Sequence, residues 1–160
     1  MIITINMRIV KPSEHLEQTE KNQIKKLLEL IGWNQNQVEG QLGVIEKFLK
    51  EKNWMILFAI EKNTIIGYIS AEFYSWNRLG QIHGLVIHPD YRNKGFASTL
   101  VKDAEVFMKK NGARGIYADT PVDNSIGCAF YKDNNFQQAY VMPEYYDNGL
   151  DGVTFLKLFR

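Results

Sequence analysis

The sequence predicts a mixed α/β fold in three layers: a curved sheet of about seven strands with four helices, in one domain spanning residues 1–160. Three observations predict it. Seven short runs, at residues 2–10, 54–60, 65–74, 82–87, 116–118, 137–142 and 153–159, carry the branched and aromatic residues that strands favour. Four stretches between them repeat apolar residues at helical spacing. One of those helices separates 82–87 from 116–118, so these two strands are expected to run parallel.

In chain order, the first strand ends at Lys11-Pro12, and Ser13 is placed to cap a helix. The polar run 17–23 gives the first part of that helix little pattern. Ile24, Leu27, Leu28 and Ile31 restore the periodicity, and Gly32 stops it. Residues 34–36 read as a linker. Val38, Leu42, Ile45, Phe48 and Leu49 mark a second helix, weakened by Gly43. The next two strands are antiparallel arms around Glu61-Lys62-Asn63-Thr64. Ala97, Leu100, Val101, Ala104 and Met108 form one face of the third helix, which Asn111-Gly112 ends. A fourth begins at Asp123 or Asn124, with Asn124, Cys128 and Tyr131 on a common face.

Composition narrows the function. A net charge of +1 without a concentrated basic stripe argues against a nucleic-acid surface. One cysteine leaves no internal disulfide and suits a reducing compartment. No apolar run reaches the roughly 18 residues of a membrane span, and the N-terminus lacks a secretion-type apolar block. A soluble, cytoplasmic protein is expected, monomeric or homodimeric, with neither nucleic acid nor membrane as partner. Three scattered histidines and one cysteine make no zinc spacing, so no metal is expected.

The most informative stretch follows the strand at 82–87. His88-Pro89-Asp90 ends the strand, and Arg92-Asn93-Lys94-Gly95-Phe96-Ala97 leads directly into a helix. A helix N-terminus offers free amides and a favourable dipole to an anion, and Arg92 and Lys94 add positive field. Gly95 has no side chain to hold a ligand away. An ordinary strand-to-helix turn with a glycine cap and two solvated cations has the same spacing. Neither a Walker loop nor a dinucleotide glycine triplet is present.

Arg92-x-x-Gly95-x-Ala97 after Val86-Ile87, with Pro89 and Tyr91 between, resembles the acetyl-CoA pyrophosphate loop of the GCN5-related N-acetyltransferase (GNAT) superfamily. Asn124, followed after five residues by Phe130-Tyr131 and then by Phe136, resembles its second acetyl-CoA motif. Asn135 stands where most members have glycine, and asparagine tolerates a left-handed backbone. Pro143-Glu144-Tyr145-Tyr146-Asp147-Asn148-Gly149-Leu150-Asp151-Gly152 resembles the closing hairpin of N-terminal protein (N-alpha) acetyltransferase catalytic subunits. The resemblance implies an acyl-CoA N-acyltransferase fold and acetyl-CoA as cosubstrate. It implies cofactor contacts from Leu85, Val86 and Ile87, from the loop residues Arg92, Asn93, Lys94, Gly95, Phe96, Ala97 and Ser98, and from Asn124 and Tyr131. Tyr131 would protonate the leaving thiolate. Tyr145 and Tyr146 would bond the backbone of a peptide whose N-terminal α-amine is acetylated by direct attack. The alternatives are a small-molecule amine, such as a polyamine, amino acid or aminoglycoside, or a catalytically degenerate acyl-CoA-binding module.

An attacking amine must lose its proton, so a base or proton wire is needed. By the same resemblance, Gln81 occupies a position that elsewhere holds glutamate or tyrosine, and glutamine cannot be a base. Asp119 stands where those enzymes often carry histidine, and its carboxylate could serve directly or through water. His83 shares the face of Gln81 and is the second candidate. Glu72, on the face of Tyr74, is the third, with an exposed edge carboxylate as the alternative. Trp33, beside the helix break, is either a substrate-facing aromatic or a core residue. Cys128 lacks an identifiable histidine partner and reads as packing against the cofactor arm or the core.

Overall fold

The computed structural model describes residues 8–11 and 15–160, the side chains of residues 8–10 excepted. The start of the expected first strand, at 2–7, and the expected cap at Ser13 lie outside the described residues. The elements are β1 (Arg8–Val10), α1 (Gln18–Leu30), α2 (Gln35–Phe48), β2 (Trp54–Glu61), β3 (Thr64–Tyr74), β4 (Leu79–Ile87), a 3-10 turn at Pro89–Tyr91, α3 (Phe96–Lys110), β5 (Gly115–Pro121), α4 (Ser125–Asp133), β6 (Gln137–Met142) and β7 (Gly152–Leu158). The sheet is mixed, in the order β1-β2-β3-β4-β5-β7-β6, with β4 and β5 parallel. Among the described residues, the mixed α/β class, the four helices and the seven strands match the sequence reading, β1 being only three residues long.

The described residues form two compact units. The first comprises the described residues up to Ala71 together with Gly84–Ala104. Its core joins Leu28 of α1, Val38 and Ile45 of α2, Phe58 of β2 and Tyr68 of β3. Helix α1 includes the polar run because its start is fixed by a cap rather than by apolar pattern. The Glu20 carboxylate accepts the Glu17 amide at 2.9 Å. The expected linker at 34–36 is likewise the start of α2. Asn34 Oδ1 accepts the Gln37 amide at 3.0 Å, and Gln37 Oε1 accepts the Asn34 amide at 2.9 Å.

The second unit comprises Glu72–His83 and Glu105–Arg160. Here β5 runs to Pro121, three residues beyond its expected end, because β7 pairs along all of it, from Gly115↔Leu158 to Pro121↔Gly152. Strand β4 starts at Leu79, ahead of the apolar run, and its ladder with β5 runs from Leu79↔Gly115 to Ile82↔Ala118. Gly80 belongs to that start because Met108 occupies the space a Cβ would need, its Sδ 2.5 Å away. Tyr131 stacks on Phe155 with centroids 5.6 Å apart, and Phe130 and Phe136 meet it edge-on. The nearly buried Glu105 is neutralised by Lys157, Nζ to Oε1 2.6 Å.

Candidate functional site

The anion loop lies in the first unit. Asn93 and Gly95 both have positive φ, +59° and +83°, so the chain coils tightly before α3. Among the described residues the amides of residues 93–98 make no hydrogen bond, as expected at the start of a 15-residue helix. A Cβ at Gly95 would face open space. The cations are tethered to the loop: Arg92 Nε donates to the Ile87 carbonyl at 3.3 Å, and Lys94 Nζ to the Asp90 carbonyl at 2.9 Å. Tyr91 donates its hydroxyl to Glu61 and lies under the Lys94 ammonium, 5.2 Å away. Unsatisfied amides, of exposed residues 93–95 and half-buried residues 96–98, beside two held cations fit a pyrophosphate. Val86 and Ile87 are buried and Leu85 half-buried, while Gly67 leaves room for the Val86 carbonyl.

The polar cluster lies in the second unit, and strand register builds it. Gln81 of β4 pairs with Tyr117 of β5, and Asp119, two residues on and on the same face, pairs with Thr154 of β7. The Gln81 Oε1 accepts two phenol protons, from Tyr74 at 2.9 Å and Tyr117 at 3.0 Å. Its Nε2 donates to Asp119 Oδ2 at 3.3 Å. Asp119 Oδ1 accepts the Thr154 hydroxyl, and the Tyr145 hydroxyl stands 3.5 Å from Oδ2. The Tyr74 hydroxyl is also 3.4 Å from His83 Nε2, which lies 3.2 Å from Glu72 Oε2. Glu72, with a side chain 16% exposed, is thus a partner of His83 and not an exposed edge carboxylate.

Burial shapes the proton affinities. It lowers the His83 pKa from 6.5, against the opposing fields of Glu72 and Asp119. Tyr117 is pushed up to about 12 by burial and then by Asp119. Tyr74 rises by burial and by Glu72, and Tyr145 by burial and Asp119. Tyr131, 7% exposed, is raised by burial with contributions from Asp119 and Tyr146, so its phenol keeps its proton at neutral pH. Tyr146 reaches about 12, and its ring meets Tyr145 edge-on with centroids 4.9 Å apart. Gly152 makes this seat possible, since a Cβ there would lie 2.7 Å from Tyr145 Cδ1.

The structure therefore brings together Glu72, Gln81, His83, Asp119 and Tyr145, with Tyr146 against Tyr145. Trp33 belongs to the other unit and packs against its core. Asn124 is the N-cap of α4: Oδ1 accepts the Gly127 amide at 3.0 Å and Nδ2 donates to Thr120 Oγ1 at 2.9 Å. Cys128 is free and half-buried, and no group of three or more metal-ligating side chains occurs among the described residues. Sequence reasoning missed Tyr74, Tyr117 and Thr154 as members. Period-two spacing from Glu72 to Tyr74 and from Tyr117 to Asp119 was the available signal.

A family model for the acetyltransferase (GNAT) family matches residues 21–136, and the chain belongs to that family. Membership makes it an N-acetyltransferase domain. The chain is 30% identical over 115 residues to an N-alpha-acetyltransferase of Saccharolobus solfataricus, covering 64% of this chain and 68% of the relative. It is 32% identical over 104 residues to a spermidine N(1)-acetyltransferase of Thermoplasma acidophilum, covering 58% and 63%. Its fold superposes on Ard1 from Thermoplasma volcanium with a TM-score of 0.78, at 14% identity, covering 98% of this chain and 99% of the other. No helix among the described residues is long and apolar enough to cross a membrane.

Proposed function

We propose that this chain transfers the acetyl group of acetyl-CoA to the α-amine of a peptide or protein N-terminus. The observation that carries this reading is the seating of Tyr145 and Tyr146 on the hairpin after β6, with the Tyr145 hydroxyl 3.5 Å from Asp119. A paired-tyrosine hairpin beside a carboxylate suits an extended backbone that ends in an amine, and the likeness to an N-alpha-acetyltransferase points the same way. Acetyl-CoA, when bound, supplies a thioester carbonyl. The amine nitrogen forms the C–N bond, the C–S bond breaks, nitrogen loses one proton and sulfur gains one.

Asp119 is the group placed to take the proton from the incoming amine, directly or through water. His83, kept largely neutral at pH 7 by burial, is the second acceptor, through the ring nitrogen that does not face Glu72. Tyr131 holds a phenol proton that a developing thiolate can accept. The loop amides of residues 93–98 and the Arg92 and Lys94 cations hold the pyrophosphate.

One observation favours a second reading. Glu72 and Asp119 lie in one hydrogen-bonded cluster, a pair of acids that suits a polyamine, and a spermidine acetyltransferase is among the relatives. Glu144 and Asp147, further acids that could join them, are exposed on the hairpin. An acetylation screen separates the two, comparing short peptides of varied first residue with polyamines and aminoglycosides by thiol release and product mass. Efficient turnover on a peptide α-amine, abolished by Tyr145→Ala or Tyr146→Ala, is expected. Turnover confined to small amines, with those tyrosines dispensable, would replace the peptide reading by the second.

A further inference from the structure

Gln81 sits where a general base would stand by family likeness, yet its hydrogen bonds assign it other work. Its amide orientation is fixed by Asp119: flipping it would set Oε1 against that carboxylate and take the shared acceptor away from both phenols. The neighbouring histidine is fixed too. His83 Nε2 faces the Glu72 carboxylate at 3.2 Å, so that nitrogen carries the proton and donates it there. Tyr74 therefore cannot donate to His83; its proton is held between Gln81 and Glu72, and that of Tyr117 goes to Gln81. Both phenol oxygens are left with lone pairs and no proton to direct outward. Both also keep their protons at neutral pH, because burial raises their pKa values.

From this arrangement we propose that Tyr74, Tyr117 and Asp119 form a three-acceptor socket for a primary amine, and that Gln81 is the positioning residue that aims all three. The proposal rests on the acetyl-transfer reading and deepens it. Gln81 and the two phenols are half-buried, as is Asp119, so the socket is reachable by a ligand atom. A primary ammonium carries three N–H donors and matches three acceptors. A secondary amine carries two and leaves one acceptor unpaired. The socket thus selects primary over secondary amines, and it requires an amide at position 81. A carboxylate there would face Asp119 across about the 3.3 Å that Gln81 now bridges by donation.

The test compares an alanine-initiated hexapeptide with its N-methyl counterpart, using the full chain, Tyr74→Phe, Tyr117→Phe and Gln81→Glu. Each phenylalanine variant is expected to raise the acceptor KM roughly tenfold while the acetyl-CoA KM stays within about twofold. The wild type is expected to prefer the primary amine at least about tenfold, a preference both variants lose. Gln81→Glu is expected to lower kcat/KM at pH 7 and to move the acidic limb of its pH profile upward, since two facing carboxylates retain a proton. A turnover-independent reading uses ring resonances of isotopically labelled tyrosine: those of Tyr74 and Tyr117 are expected to shift on titration with the primary peptide. Unmoved resonances, unchanged acceptor KM in both phenylalanine variants, or a faster Gln81→Glu enzyme would each overturn the socket. Absence of turnover with a peptide that nonetheless shifts both rings would overturn the transfer reading and leave the socket standing.

Discussion

The anion loop and the polar cluster are built by opposite means. The loop uses contiguous backbone: residues 93–98 present amides that any sequence with the right φ angles could present, and its side chains serve mainly to hold it. The cluster uses side chains from four strands, separated by up to 38 positions between hydrogen-bonded partners and set beside one another by register. Under the proposed function, a backbone cradle would hold to one cosubstrate, whereas substitution of one strand residue would change what the cluster accepts.

The sharpest way to break that division is to damage each part alone. Asp119→Asn removes the carboxylate and keeps one of its two acceptor oxygens, for either Thr154 or Gln81. It is expected to lower kcat/KM by about a hundredfold or more, while acetyl-CoA affinity measured by calorimetry stays within about twofold. The loop should behave in the reverse sense. Gly95→Val forces a β-branched residue to φ +83°, and is expected to weaken acetyl-CoA roughly tenfold and to cost about 1–2 kcal/mol of stability. Its acceptor KM at saturating acetyl-CoA should barely move. Equal losses of both ligands in either variant would show that the two parts do not work separately.

A smaller effect sharpens the comparison within the cluster. Gly152→Ala places a Cβ 2.7 Å from the Tyr145 ring, at a buried point on β7 paired with both Pro121 and Met142. The ring must shift, moving its hydroxyl away from Asp119. A loss of roughly 1–3 kcal/mol in urea unfolding is expected, with a several-fold rise in peptide KM and little change for a small amine. Equal rises for peptide and small amine would remove the hairpin from peptide recognition.

These two regions also differed in what the sequence could tell. The loop was legible because its signal is local: a strand, Pro89, Gly95 and a helical pattern lie within one short stretch. The helix starts at Gln18 and Gln35 were less so, because side-chain caps at Glu20 and Asn34–Gln37 set them where the apolar pattern was silent. Asp119, Gln81, His83 and Glu72 were legible as candidates from a family likeness and alternation. Their connection was not, since Tyr117 meets Gln81 only through the β4–β5 register, and Thr154 meets Asp119 only through β5–β7. The start of β4 and the end of β5 were missed for the same reason: Gly80 and Thr120 look polar or small in isolation, and the neighbouring strands and Met108 keep them in the sheet.

The smallest expected effect concerns His83, and it follows from the sign of its shift. Its imidazole faces Glu72 and Tyr74 from β3 and feels Asp119 from β5, and burial outweighs those carboxylates to hold its pKa below 6.5. Above pH 6.5 the ring is neutral in both folded and unfolded chains and contributes no pH dependence. As pH falls through 6.5 the unfolded chain takes the proton first, so the folded state loses stability until its own lower pKa is passed. Urea unfolding of the wild type between pH 7.5 and 5.5 should therefore show a decline that His83→Gln lacks, once the carboxylate contribution common to both chains is subtracted. The same titration should alter the acceptor KM, because protonation disturbs the Tyr74–Gln81 geometry, and should leave acetyl-CoA affinity flat, because the loop amides do not titrate. Parallel stability profiles in the two chains would mean that Glu72 and Asp119 already balance the burial, and that His83 is charged as readily in the folded protein as in the unfolded one.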